Sequence, residues 1–542
     1  MAELSNRRPT HPVEGQPSIV PGQPQEQLAV EENAQPGDDI EYPTGYKLWL
    51  TVVPVGVCFL LKGLDLLIVA VTIPSLTNQF KTLEDIGWYS SIYGIILSAS
   101  TFFFGKAYTV YDLKSLFMIS LVIFEGGSLL CTLAYSSKQF ILGRALAGLG
   151  ASGLTSGGFI IITHCFPVPK RPMYTSIANA GETLALVSAP MIGGALIDAW
   201  SWRACFGINL PLGVISLALF AYGFNDNVEN PDTKLPFREK WRRIDPLGTL
   251  MLVPAVTCLM IATQWGGITY GWGNFRIILL IILAIVLFSI FAFLQYRLKE
   301  EATMPPRLLK NRSIMASSWF CACTNGTLAV TEYCISIYLQ GVRGYSPAKA
   351  GLLAVPMMVG LCTACVVAGA GTTLVGYYTP PVAAGLLTTL KIDDSLGKII
   401  ALLGFLGAAI GIGAPGPSSV VQTSLPAKDI SIGISIVLFG AGLGSSLFVS
   451  ASSALFRNRL VDELHKYLPN TTFSGNSTTQ LNVNNIGLSE IQTLVGPNRL
   501  KDLLLGYDEA VIQTLYLPVA LAAATVIGSA LTEWRSVKTR RA

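Results

Sequence analysis

Residues 182–211 read ETLALVSAPMIGGALIDAWSWRACFGINLP, an apolar helix of membrane length followed by a tryptophan-arginine corner. Pro190 lies near the middle of this helix, where it removes one backbone hydrogen bond and is expected to bend the axis. Gly193 and Gly194 follow, and glycines let a neighbouring helix approach closely within a bilayer. We therefore predict a bent, closely packed transmembrane helix, which suits a protein whose helices rock against one another.

The composition of the whole chain is that of an integral membrane protein. Of its 542 residues, 51% are hydrophobic and only 13% are charged, and the mean hydropathy is +0.52. Apolar runs of roughly 20 residues, the length that crosses a bilayer as a helix, recur along nearly all of the sequence. A soluble multidomain enzyme is excluded by these values. The formal net charge of +4 gives no reason to expect nucleic acid as a partner.

Sequence motifs of cofactor, metal and nucleotide chemistry are missing. Three histidines are too few and too dispersed for a metal site, and the ten cysteines, mostly in apolar runs, are interpreted as packing residues. Gly148, Gly150 and Gly153 match the pattern G-x-G-x-x-G, but they lie in an apolar span, so we interpret them as helix-packing positions. No G-x-x-x-x-G-K-[ST] sequence is present, so ATP hydrolysis has no visible site. We expect no catalytic residue, no metal and no cofactor.

The apolar runs and the polar segments between them predict an all-α membrane protein whose spans are grouped as six, two and six. The predicted divisions are a disordered cytosolic tail at 1–46, an N-terminal six-helix bundle at 47–224, a cytosolic linker at 225–244, two extra transmembrane helices at 245–297, a cytosolic loop at 298–312, a C-terminal six-helix bundle at 313–456 and 510–531, an extracytosolic loop at 457–509 and a cytosolic tail at 532–542.

One predicted span, 379–390, is unusually short. At about 1.5 Å of rise per residue it reaches only about 18 Å, whereas the hydrocarbon core is about 30 Å thick. Either 376–390 forms a distorted or re-entrant segment, or the sequence lacks residues that a full span would have. We keep it as a span, because otherwise the later loops would change sides against the orientation signals described next.

Lysine and arginine cluster in the loops that the span plan places on one side, which predicts that this side and both termini are cytosolic. The opposite side includes the loop at 457–509, in which Asn470 and Asn476 begin glycan-acceptor triplets. Both asparagines are therefore predicted glycosylation sites.

Asp65 lies deep in the first predicted span, with Lys62 three residues earlier on the same helical face. A charge at the centre of a bilayer costs roughly 2.5 to 3.5 kcal/mol on insertion scales, so it needs a partner, an aqueous cavity or a function. Asp65 is therefore a candidate for proton exchange or for orienting a neighbouring helix. The alternative is an internal ion pair in which Lys62 and Asp65 only neutralise each other.

Glu125 in the third span and Arg144 in the fourth carry opposite charges at membrane depth. They are candidates for an ion pair or for two groups that face one cavity. An arginine beside a carboxylate favours its ionised form, so a change in such a contact is a physical route from protonation to movement. The alternative is a fixed structural pair.

Glu182 and Glu332 complete the candidate proton-coupling residues, because burial favours a protonated acid. The alternatives are a polar contact to a neighbouring span for Glu182 and an exposed position near the outer end of its helix for Glu332. Other polar side chains within spans are candidates for lining a substrate cavity, and equally for hydrogen bonds between helices. They are Tyr93, Asn179, Asn325, Tyr333 and Gln422.

Several stretches resemble motifs of the major facilitator superfamily. They are LDLLIVAVTIP at 64–74, GKAYTVYDLKSLF at 105–117, LGRALAGLGASG at 142–153, SAPMIGG at 188–194 and WRACFGINLPLG at 202–213. Over residues 48–531 the chain is most similar to the fourteen-span drug:proton antiporter family, in its fungal toxin and secondary-metabolite efflux branch.

The resemblance assigns roles to particular residues. It implies that Asp65 and Arg144 serve proton coupling. It implies that the inner gate involves Gly105, Lys106, Asp112 and Lys114, and that the hinge in the fifth span involves Pro190, Gly193 and Gly194.

The chain also departs from the family pattern. Ala189 replaces the usual glycine before Pro190, Leu67 replaces a hydroxyl residue, and Ser336 replaces a proline. Lys62 stands where a small neutral residue is usual, and Glu182 and Glu332 are both atypical of the branch.

The resemblance implies a major facilitator fold and a proton-coupled exporter of small amphipathic organic compounds, such as a fungal metabolite, a toxin or drugs. Its partners would be the lipid bilayer, the substrate and protons, and it would act as a monomer driven by a proton gradient. We expect a multi-pass protein of the plasma membrane, with a vacuolar or vesicle membrane as the alternative. The alternative functions are an importer of a siderophore or amino acid and a non-transporting scaffold or sensor.

Overall fold

The computed structural model describes residues 43–81, 85–224, 235–266, 270–345, 347–375, 396–467 and 500–532. Helices make up nearly all of these residues, and their one β interaction is an isolated bridge between Gly266 and Tyr270. Eleven helices in the described ranges are long and apolar enough to cross a membrane. The prediction of an all-α membrane protein is thereby confirmed.

The N-terminal half contains seven α-helical segments. They are α1 (Tyr46–Phe80), α2 (Ile86–Val110), α3 (Leu113–Thr132), α4 (Ser137–Cys165), α5 (Arg171–Ala199), α6 (Ala204–Gly207) and α7 (Asn209–Gly223). Helix α1 packs on α5 and α7, while α4 packs on α2 and α3. Glycines permit these approaches: a Cβ atom at Gly150 of α4 would collide with the backbone of Phe124 on α3.

A middle group contains α8 (Phe237–Arg243), α9 (Pro246–Trp265) and α10 (Phe275–Leu298). Helices α9 and α10 pack as a pair, and α9 also contacts α2. At one end of that contact the rings of Trp88 and Trp265 meet edge to face at 5.6 Å. Helix α8 lies within 225–244, the segment that is predicted to be a cytosolic linker.

The C-terminal half contains α11 (Pro306–Leu309), α12 (Arg312–Ile337), α13 (Pro347–Val375), α14 (Leu396–Gly413), α15 (Gly416–Ser424), α16 (Ala427–Tyr467) and α17 (Leu500–Leu531). Helix α12 packs on α16 and α17, and α13 packs on α14. The same relations hold in the other half, where α1 packs on α5 and α7, and α2 on α4. The two halves therefore repeat one packing scheme.

The halves join where α2 packs on α16 and where α5 packs on α13. A Cβ atom at Gly105 of α2 would collide with Ser435 of α16, and one at Gly369 of α13 would collide with Ser176 of α5. Both contacts are therefore too close to admit a side chain larger than that of glycine without a shift of the opposing serine. We call the end of the bundle that contains Gly105 and Lys106 the Lys106 end.

Several boundaries differ from those expected from hydropathy. Helix α5 is continuous through Pro190, so the proline does not interrupt it. Helix α16 continues to Tyr467 and α17 begins at Leu500, so both ends of the predicted loop at 457–509 are helical. Helices α16 and α17 pack together near this loop, where the rings of Phe456 and Tyr507 lie 6.2 Å apart.

Other sequence-based expectations fall outside the described residues. They are most of the tail at 1–46, the short span at 379–390, the glycan acceptors Asn470 and Asn476, and the tail at 532–542 apart from its first residue. The grouping of the spans as six, two and six stays a prediction.

Candidate functional site

A buried ion pair joins α1 to α4. The Arg144 guanidinium lies 2.6 Å from the Asp65 carboxylate, and neither side chain has exposed surface. Arg144 also donates through Nε to the carbonyl of Tyr89 at 3.1 Å, and Asn209 of α7 donates to Asp65 at 3.4 Å. The guanidinium stacks 4.6 Å from the centre of the Tyr93 ring. Asp65 and Arg144 thus lie at a point where four helices meet.

This site is incompletely satisfied. Among the described residues, Arg144 Nη2, Asn209 Oδ1 and the Tyr93 hydroxyl are buried without a hydrogen-bond partner. A buried polar group without a partner costs about 1 to 3 kcal/mol. The charges at this site are paired, but these buried polar atoms have no hydrogen-bond partner among the described residues. They are therefore available for other contacts in a different arrangement of the helices.

A second ion pair joins α1 to α5. Lys62 Nζ lies 2.7 Å from Glu182 Oε2, and it donates to Thr155 Oγ1 at 3.0 Å. The ammonium also lies 5.2 Å from the centre of the Phe59 ring. Helix α1 thus presents opposite charges three residues apart, and Asp65 and Lys62 have partners on different helices. The internal Lys62–Asp65 pair considered from the sequence is not formed.

Glu125 of α3 does not pair with Arg144. Both of its carboxylate oxygens are buried, and neither has a hydrogen-bond partner in the described part of the chain. A Cβ atom at Gly213 of α7 would collide with this carboxylate. Glu125 is thus enclosed between α3 and α7, where Arg144 does not reach it because that guanidinium is committed to Asp65.

The candidate cavity residues are not gathered at these ion pairs. Asn325 donates to the carbonyl of Cys321 within its own helix at 3.0 Å, and Asn179, Tyr333 and Glu332 are half-buried. Gln422 of α15 is 4% exposed, and its amide has no partner among the described residues. Only Tyr93 of this group contacts the Asp65–Arg144 pair.

The candidate gate residues lie at the Lys106 end. Lys106 is buried and donates to the carbonyl of Ala302 at 2.8 Å. Asp112 caps α3 by accepting from the backbone N–H of Ser115 at 2.8 Å, and Lys114 is half-buried on the same helix. The segment that contains Ala302 leads from α10 to α12, so Lys106 ties α2 to the connection between the middle group and the C-terminal half.

Asp245 holds this connection in place through its hydrogen bonds, and it was not among the residues predicted from the sequence. It is 3% exposed and adopts a left-handed conformation with φ of 54°. Its carboxylate accepts from Gly248 N, from Gln295 Nε2, and from both N and Oγ1 of Thr303. The dipeptide Asp245-Pro246 carried a signal for the cap, since aspartate at the cap and proline at the first helical position commonly start helices.

A second missed contact lies close by. Arg307 of α11 binds Asp429 in the first turn of α16 through two hydrogen bonds, at 2.9 and 3.1 Å. Arg307 occurs in a basic cluster whose charge indicates only the orientation of the chain in the membrane. The sequence gives no indication that its partner is Asp429. The connection between α10 and α12 is thus tied to α2, α9 and α16.

The fifth-span glycines are not equivalent. A Cβ atom at Gly193 would lie 2.9 Å from Ile68 Cγ1 on α1, whereas one at Gly194 would have open space. Ala189 is fully buried beside Pro190, which is itself exposed. Of these two glycines, only Gly193 is required for the close approach of α1.

The interpretation of the G-x-G-x-x-G match as helix packing is confirmed. Cβ atoms at Gly148, Gly150 and Gly153 would collide with Tyr93, Phe124 and Ser120 on neighbouring helices. In the described ranges, no group of three or more histidine, cysteine or acidic side chains is placed to hold a metal ion.

Comparison with known proteins agrees with this geometry. The model of the Major Facilitator Superfamily matches residues 55–449. The MFS-type efflux pump MFS1 of Arthroderma benhamiae is 36% identical over 520 residues, covering 93% of this chain and 94% of that protein. The efflux pump roqT of Penicillium rubens is 37% identical over 489 residues, covering 88% and 89%.

Solved structures share the fold at low sequence identity. The human organic anion transporter MFSD10 (TETRAN) has a TM-score of 0.54 and 12% identity, with 88% of this chain and 99% of that chain covered. A bacterial homologue of the human lysosomal transporter Spinster, in an inward-facing and unoccupied conformation, gives 0.50 and 14%, with 90% and 98% covered.

The chain belongs to the major facilitator superfamily. It is a multi-pass membrane transporter of that superfamily, as the family resemblance implied.

Proposed function

We propose that this protein exports small amphipathic organic compounds, fungal secondary metabolites or toxins among them, in exchange for protons. The relatives named efflux pumps support the direction of transport, since they match about nine-tenths of the chain. The observation that carries proton coupling is the fully buried pair of Asp65 and Arg144 between α1 and α4.

Protonation of Asp65 removes the negative charge that balances Arg144. With Asp65 ionised, the pair is neutral and holds α1 against α4. With Asp65 protonated, the buried guanidinium is left uncompensated, and breaking a buried pair in this way costs about 3 to 5 kcal/mol. That energy favours a rearrangement in which Arg144 finds other acceptors, so proton binding and helix movement become linked.

The movement would separate the contacts that join the two halves. Opening the Lys106 end requires α2 to leave α16 at Gly105 and α5 to leave α13 at Gly369. The basic loops support a cytosolic position for this end, and in that orientation the contacts at Gly105 and Gly369 close the protein toward the cytosol. We propose that this conformation belongs to the part of the cycle in which substrate has left the cytosolic side.

The remaining assignments follow from the same proposal. The termini are cytosolic, and the protein is a monomer of the plasma membrane or of a vacuolar or vesicle membrane. The divisions of the chain are those predicted from the sequence, except that α16 extends to Tyr467 and α17 begins at Leu500. Glu125 and Glu332 are further candidate proton-binding acids, supported by partial burial of both residues. Asn179, Asn325, Tyr333 and Gln422 remain candidate cavity residues.

Reconstitution tests the proposal directly. Purified protein would be placed in vesicles with an imposed pH gradient, and transport of neutral, cationic and anionic dyes would be followed with and without a protonophore. We expect gradient-dependent transport that is lost in Asp65→Asn and in Arg144→Ala. Glu301→Gln is the matched control, because Glu301 pairs with Arg242 at the exposed surface.

Each alternative function gives a different result. Transport of equal rate without a gradient would contradict proton coupling. Accumulation in intact cells, rather than extrusion, would favour an importer. A cellular phenotype that survives both substitutions without any transport would favour a scaffold or sensor.

A further inference from the structure

The Lys62–Glu182 pair differs from the Asp65–Arg144 pair in its accessibility. The Glu182 side chain is 22% exposed and that of Lys62 is 9% exposed, whereas Asp65 and Arg144 have no exposed surface. Glu182 is therefore partly accessible at the surface of the packed helices, whereas the second pair is fully enclosed.

Helical periodicity puts Glu182 on the face of α5 that is turned toward the rest of the protein. The strongly exposed apolar residues of α5 are Met173, Ile177, Leu184 and Met191, which recur at helical spacing and form its lipid-facing stripe. At about 100° per residue, Glu182 is rotated by roughly 160° from Leu184. It lies on the side of Ala185 and Ala189, which are buried against the rest of the protein.

Lys62 is fixed beside this carboxylate by more than the ion pair. It donates to Thr155 of α4 and lies over the Phe59 ring. Gly63 keeps the helices close, because a Cβ atom there would collide with the carbonyl of Glu182. Lys62 is thus held in place as a permanent counter-ion, and the accessible carboxylate presents no net charge to the interior.

We propose that Lys62 and Glu182 set the charge selectivity of the transport path, admitting neutral amphipathic compounds and excluding organic cations and anions. This inference rests on the proposed export function and names its substrate class. In an interior of low dielectric, an uncompensated charge attracts a ligand of opposite sign and repels one of the same sign. The pair removes both effects at the part of the path lined by α1 and α5.

The net charge of the pair determines the expected selectivity. Lys62→Met leaves one negative charge, and we expect the export of ethidium relative to Nile red to rise by roughly tenfold. Glu182→Gln leaves one positive charge, and the export of fluorescein relative to Nile red should rise by about the same factor. These three dyes represent a cation, a neutral compound and an anion.

Two double variants separate charge from side-chain shape. Lys62→Met with Glu182→Gln again has no net charge, and so does the exchanged pair Lys62→Glu with Glu182→Lys. Both should return the dye ratios to the wild-type values. Glu301→Gln, at an exposed pair outside the interior, is the matched control for loss of an acid and should keep the wild-type ratios.

The experiment measures dye export from vesicles that contain each purified variant under one imposed pH gradient. A wild-type protein that exports none of the dyes would contradict the proposed function. Export of Nile red with unchanged ratios in both single variants, or faster export of ethidium than of Nile red by the wild type, would overturn the charge-selectivity inference alone. If a single variant fails to fold, the exchanged pair decides, since altered ratios there would equally overturn it.

Discussion

The Arg144 guanidinium lies over the Tyr93 ring at 4.6 Å while it pairs with a carboxylate on another helix. Tyr93 belongs to α2, which also forms the contact between the two halves at Gly105. The ring therefore lies between the Asp65–Arg144 pair and the helix that, in the proposed cycle, moves when the Lys106 end opens.

Breaking the buried pair on one side should destabilise the protein more than removing both charges. Arg144→Ala leaves Asp65 buried and unpaired, at a cost of about 3 to 5 kcal/mol. We expect its Tm in detergent to fall well below the wild type, and Asp65→Ala combined with Arg144→Ala to recover part of the loss. Arg242→Ala, at the surface pair with Glu301, should leave the Tm unchanged. A double variant less stable than Arg144→Ala would refute this account.

Adding a side chain at Gly105 should open the Lys106 end, because a Cβ atom there collides with Ser435. We expect Gly105→Val to make Cys365, which is fully buried beside Ser176, react with maleimide about tenfold faster, equivalent to about 1.4 kcal/mol. Labelling would be measured with Cys365 as the remaining cysteine. Gly194→Val is the control, since that position has open space, and equal labelling in the two variants would be the contrary result.

Asp245 should be sensitive to both its charge and its backbone conformation. Asp245→Ala leaves the donors of Gly248, Gln295 and Thr303 unpaired and places alanine at φ of 54°, so it should lower the Tm most. Asp245→Asn keeps acceptor oxygen and tolerates the left-handed conformation, and we expect a smaller loss of about 1 to 3 kcal/mol. Thermal unfolding of the purified variants gives the order, and an alanine variant more stable than the asparagine variant would contradict it.

The Arg307–Asp429 contact should help to hold the Lys106 end closed, because it ties α11 to the first turn of α16. Arg307→Asp places two acids together and should increase maleimide labelling of Cys365. Adding Asp429→Arg restores opposite charges and should reverse part of the increase. Full reversal is not expected, since arginine at the start of α16 opposes the helix dipole. Unchanged labelling in Arg307→Asp would show that this contact does not bear on closure.

Hydropathy located most spans because apolar runs and helices have the same extent. It did not locate the ends of α16 and α17, because both helices continue beyond the apolar runs, to Tyr467 and from Leu500. Glycine spacing predicted close helix packing, but it could not distinguish Gly193 from Gly194, because only the position of Ile68 on α1 does so.

The pairing of the charges could not be obtained from spacing. Lys62 and Asp65 are neighbours on one helix, which favours an internal pair, but the placement of α4 and α5 gives each a separate partner. A signal was present in the sequence, since Lys62 and Glu182 both depart from the family pattern and have opposite charges. The positive charge of Lys62 compensates the negative charge of Glu182, because Lys62 Nζ lies 2.7 Å from Glu182 Oε2.

Lys62 and Asp65 stand one helical turn apart on α1, about 4.5 Å along its axis, and each is paired with a different helix. A movement of α1 as a unit would therefore disturb both contacts. If export is coupled to protons as proposed, the charge selectivity of transport and its driving force depend on the same helix. A substitution of Lys62 that widened the range of exported compounds would then be expected to alter proton coupling as well.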